Sequence, residues 1–64
     1  MMPSEPTPEQ LAALKAWKAA KGRAWRSLLL DAWMRAGEGV HGYTPALQQI
    51  RNYFGPTWLT KVKL

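Results

Sequence analysis

The stretch Trp25-Arg26-Ser27-Leu28-Leu29-Leu30-Asp31-Ala32-Trp33 decides the fold. Trp25, Leu29 and Trp33 recur every four residues, and Leu28 and Ala32 fill between them. That is the apolar stripe of a packed helix. At about 100° per residue, Leu30 and Met34 fall on a second side, flanked by Arg23 and Arg26. A helix apolar on two sides has neighbours on two sides, so this is the central helix of a small bundle.

On its N-terminal side, Thr7-Pro8-Glu9-Gln10 is a helix start. Thr7 caps, Pro8 suits the first helical position, and Gln10 completes a capping-box pattern. Glu9 stands where the helix dipole favours an anion. The spacing predicts a helix from Pro8 to about Lys21, with Leu11, Leu14 and Trp17 on a loosely drawn inner face. Lys18 and Lys21 intrude on that face, and long Lys stems can lie along apolar surface. Gly22, after two lysines, suits a helix C-terminus. A competing pattern, Leu11-Leu14-Lys18-Lys21-Trp25-Leu28-Ala32, would suit one long coiled-coil helix. Two lysines inside that seam argue against it, and a break is expected at Gly22.

On the C-terminal side, the central helix is predicted from about Ala24 to Ala36, with Asp31 and Arg35 as an i, i+4 ion pair. Residues 37–43 form a glycine-rich loop. Thr44-Pro45 repeats the Thr-Pro start and opens a helix to Phe54, which Gly55-Pro56 stops. Thr57 to Leu64 is expected as a short turn that plugs Trp58 and Leu59 into the bundle. The fold class is all-α: a compact three-helix bundle with a short C-terminal turn. Residues 1–6 are expected as a disordered tail, and 7–64 as a single helical domain. The expected core is Leu14, Trp25, Leu28, Leu29, Trp33, Leu47, Ile50, Phe54 and Trp58.

A Trp-x-x-x-Leu-x-x-x-Trp helix (Trp25, Leu29, Trp33) is followed by Gln-Ile-Arg-Asn-x-x-Gly-Pro-x-Trp-Leu from Gln49 to Leu59. The combination resembles short uncharacterised proteins of bacterial and phage genomes. The resemblance spans roughly half the chain and implies no activity.

Composition narrows the function. A chain of 64 residues is one domain with a core worth ~3–5 kcal/mol net. Four Trp, two Tyr and one Phe are a heavy aromatic load for that length; Trp fills core area and is also enriched in interfaces. There is no cysteine, so neither a disulfide framework nor a Cys-containing metal site exists, and a cytoplasmic location is expected. No apolar run approaches the roughly 18–20 residues of a membrane span, and Met1 to Pro6 has no signal-peptide character. No membrane partner is expected.

A catalytic set is missing. The chain has one histidine and four carboxylates: Glu5, Glu9, Asp31 and Glu38. No pair is placed for acid–base work, and no nucleophile stands with a base. His41 near Glu38 is read as an exposed loop side chain. Gly37-x-Gly39-x-x-Gly42 matches the letters of a dinucleotide fingerprint but follows a helix, where that fingerprint follows a strand. No enzyme activity, metal or cofactor is expected.

Two binding readings follow. The first is an interaction module, an adaptor or inhibitor docking on a larger protein. Its contact candidates are Trp17, Leu30, Met34 and Tyr43, rimmed by Arg23 and Arg26. The apolar remainder at Leu30 and Met34 also predicts a homodimer. The alternative is weakly sequence-selective nucleic-acid binding, from a net charge of +5. Its candidates are Lys15, Lys18, Lys21, Arg23, Arg26 and Arg51. A helix-turn-helix formed by the last two helices fits poorly, because its joint is longer than the usual 3–4 residues.

Overall fold

The computed structural model describes residues 5–64. Three helices are present: α1 (Pro8–Lys21), α2 (Trp25–Met34) and α3 (Pro45–Lys61). A 3-10 turn over Gly22–Ala24 joins α1 to α2, so the first two helices form one broken arm and α3 a second. Each helix packs on the other two. The described residues contain no strand, and none of their helices is long and apolar enough to cross a membrane. The radius of gyration is 10.7 Å, against about 11 Å for a compact chain of this length. The expected tail lies for residues 1–4 outside the described span.

The start of α1 follows from its own residues. Gln10 N–H donates to Thr7 Oγ1 at 3.2 Å, and Thr7 N–H donates to Gln10 Oε1 at 3.0 Å. The two bonds satisfy orphan donors reciprocally. Gln10 is 4 % exposed, and its Nε2 also donates to Gln49 Oε1 at 3.1 Å. The cap thereby ties α1 to α3. Gly22 ends α1 with φ 73° and ψ −146°, a conformation that glycine reaches without a Cβ penalty. The break expected there is present.

The core holds Leu14, Trp17, Trp25, Leu29, Ala32, Trp33, Leu47, Ile50 and Leu59. Leu28, expected inside, is 42 % exposed. Trp25, Leu29, Ala32 and Trp33 define the inward arc of α2, and Leu28 stands at its flank. Phe54 and Trp58 are half-buried and stacked on each other, with centroids 4.8 Å apart. Trp33 Nε1 is buried without a hydrogen-bond partner among the described residues.

α2 ends two residues before the expected Ala36. Ala36 and Gly37 take left-handed φ values of 55° and 76°, and Gly37 N–H donates to Ala32 O at 2.8 Å. Gly37 is also where the loop closes on itself: a Cβ there would stand 2.1 Å from the Tyr43 ring. The stop expected at Gly55-Pro56 is present as a break within α3. Gly55 leaves the helical region at φ 77°, ψ 179°. Pro56 is itself a good first helical residue, so helical structure resumes to Lys61. That resumed turn carries Leu59 into the core, where it is fully buried.

Candidate surface groove at the helix joint

α1 presents Lys15, Lys18, Ala19 and Gly22 at i, i+3, i+4 and i+7, one stripe of a helix. The turn at Gly22 then carries Arg23 past the end of that stripe and starts α2 at Trp25. The extended segment after α3 brings Leu64 alongside, where Lys18 Nζ donates to the Leu64 carbonyl at 3.0 Å. Together they enclose an open groove of about 490 Å³. Its floor is Ala19, Gly22, Trp25 and Leu64, and its rim is Lys15, Lys18 and Arg23. No acidic side chain lines it.

The six candidate cations divide by what they touch. The Arg26 guanidinium donates to Leu59 O through Nη1, and to Val62 O through Nη2 at 2.6 Å. These carbonyls belong to the end of α3, where intrahelical donors run out. Its guanidinium carbon also lies 4.5 Å from the Trp25 ring centroid, within cation–π range. Lys21 Nζ donates to His41 O at 3.0 Å and stands 4.7 Å from the Trp17 ring centroid. Lys18 reaches Leu64 while remaining at the groove rim. Lys15, Arg23 and Arg51 are exposed. Arg51 stands on α3 and does not line the groove. The six therefore do not form one open phosphate-facing surface: Lys21 and Arg26 close on backbone, and Lys15, Lys18 and Arg23 meet.

The protein-contact candidates also separate. Trp17 is 3 % exposed and is withdrawn as a surface residue. Its indole Nε1 donates to Trp25 O at 2.9 Å, across the joint that Gly22 creates. Its ring meets Tyr43 edge-on at 6.5 Å. Leu30 is half-buried against the core. Met34 is 85 % exposed. Tyr43 is half-buried over Gly37 and its hydroxyl donates to Gln48 Oε1. Burial raises the Tyr43 pKa above the ordinary tyrosine value, and the nearby Arg51 charge opposes that shift. Arg26, expected on the polar rim, is half-buried under the end of α3.

Asp31 and Arg35 form the expected pair at 3.2 Å, well exposed on both sides. His41 is an exposed loop residue whose carbonyl, rather than its imidazole, is engaged. Sequence reasoning missed the groove floor. The i, i+3, i+4, i+7 spacing from Lys15 to Gly22 was visible; the approach of Leu64 was not.

Proposed function

We infer the function from the groove itself, since no protein-family model, curated protein or solved structure matches the chain.

We propose that this protein is a small non-enzymatic interaction module that docks on a larger protein through the groove at the α1–α2 joint. The observation that carries the proposal is an apolar floor under a cationic rim: Trp25 and Leu64 beneath Lys15, Lys18 and Arg23. Apolar contact supplies affinity, and a polar rim supplies orientation and register. With no cysteine in the chain, the proposal includes a cytoplasmic setting.

Electrostatic nucleic-acid binding is the competing reading, and it rests on the +5 charge. Lys21 and Arg26 donate to backbone carbonyls instead of standing free, which favours the protein partner. The test is capture from nuclease-treated extract, identification of the retained protein, and titration of the two purified components. A saturable one-to-one complex that survives moderate salt is expected. Retention of nucleic acid alone, or nothing beyond what an unrelated basic domain retains, contradicts the proposal.

A further inference from the structure

We propose that the groove takes an acidic segment of the partner in which a bulky apolar side chain stands between carboxylates. This deepens the interaction-module reading and rests on it. The charge argument is direct: three cationic side chains surround the groove and no acidic side chain lines it. Of the four acid side chains in the sequence none lines the groove, and Asp31 is paired with Arg35. The shape argument concerns the floor. Gly22 adds no side chain there, and the position a Cβ would occupy has nothing within 4 Å. An extended peptide backbone can therefore approach closely while its apolar side chain rests on Ala19 and Leu64.

Other polyanions match only half of this surface. A duplex phosphate backbone meets the rim and has nothing apolar to place on the floor. Single-stranded bases stack on open aromatic faces, and Trp25 is 5 % exposed. A membrane surface is met by a protruding apolar side chain, and the one that is 85 % exposed, Met34, is not among the residues that line the groove.

The test uses the full chain and a dye-labelled peptide of sequence Asp-Glu-Asp-Leu-Phe-Asp-Glu-Asp, followed by fluorescence anisotropy. Saturation at micromolar protein is expected. Replacing Leu-Phe by Ser-Ser in the peptide should weaken binding about tenfold or more. The double variant Lys15→Glu/Arg23→Glu should weaken it at least as much; both residues are exposed, and an unchanged melting curve checks folding. Met34→Ser should leave the affinity unchanged. Equal binding of the Ser-Ser peptide would overturn the apolar part of the proposal. Tighter binding of duplex DNA or phosphatidylserine vesicles, lost in the same double variant, would overturn the peptide as occupant. Absence of peptide binding would overturn the acidic partner. A captured partner whose binding fails with Met34→Ser but survives Lys15→Glu/Arg23→Glu would overturn the groove while leaving the interaction reading in place.

Discussion

Two sides of the α1–α2 joint carry the same kind of charge and use it differently. On one side, Lys21 and Arg26 lie over the Trp17 and Trp25 rings and donate to carbonyls of the glycine-rich loop and the end of α3. On the other, Lys15 and Arg23 stand exposed at the mouth of a groove. The residue types are the same and their sequence positions interleave. The difference is whether the side chain donates to a backbone carbonyl, as Lys21 and Arg26 do. A cation that makes such a bond closes the fold; Lys15 and Arg23 stay exposed. Lys18 sits between the two cases, bonded to Leu64 and still on the rim.

The largest effect should come from the apolar body beneath the structural cations. Trp17→Ala removes a buried indole and its bond to Trp25 O. A loss of about 3–5 kcal/mol is expected, enough to unfold much of a domain this small. Urea unfolding checks it, and a variant melting within a few degrees of the parent would contradict the placement of Trp17.

Next come the cations themselves. Arg26→Gln removes the guanidinium from Leu59 O and Val62 O. Bonds from a charged donor contribute about 1.5–3 kcal/mol when well made, and half-burial of Arg26 puts the expected loss near the low end. Arg23→Gln should change stability by less than about 0.5 kcal/mol, as exposed substitutions do. Equal losses in the two variants would erase the distinction between the two sides.

A smaller difference separates two buried indoles. Trp17 Nε1 is bonded, whereas Trp33 Nε1 is buried and unpartnered. An unpaired buried donor costs about 1–3 kcal/mol. Trp33→Phe discards that donor along with some volume, while Trp17→Phe discards a made bond. Trp33→Phe should therefore be the milder change by about 1 kcal/mol, read from paired urea curves. The reverse order would mean that the Trp33 donor is satisfied.

The smallest effect is in alkali. The folded-state pKa of Tyr43 is raised by burial. Below the unfolded value, near 10, Tyr43 is protonated in both states and its contribution is fully present. Above it, the unfolded chain loses the proton first, so stability falls as pH rises through the folded value. Tyr43→Phe should show a shallower loss between neutral pH and pH values above that point. Parallel curves would contradict the burial of this hydroxyl.

Local chemistry was legible in the sequence. The Thr7–Gln10 box, the cap at Thr44, the break at Gly22 and the Asp31–Arg35 pair each depend on residues within four positions of one another. The helical interruption at Gly55 and the short turn that carries Leu59 into the core were legible too; the joining of that turn to α3 as far as Lys61 was not. Leu28 was misplaced because a stripe this wide does not mark its own centre. The groove was half legible: its rim lies along one stripe of α1, but Leu64 reaches Lys18 across 46 positions. The structural use of Arg26 was hidden for the same reason, its carbonyl partners lying 33 and 36 positions away.

The most direct measurement is a chemical-shift map of the isotope-labelled protein titrated with the acidic Leu-Phe peptide. The groove assignment predicts shifts concentrated at the amides of Lys15, Lys18, Ala19, Gly22 and Arg23 and at Trp25. Little change is predicted at Met34 and Arg51. Shifts centred on Met34, or spread evenly over every lysine and arginine, would contradict it.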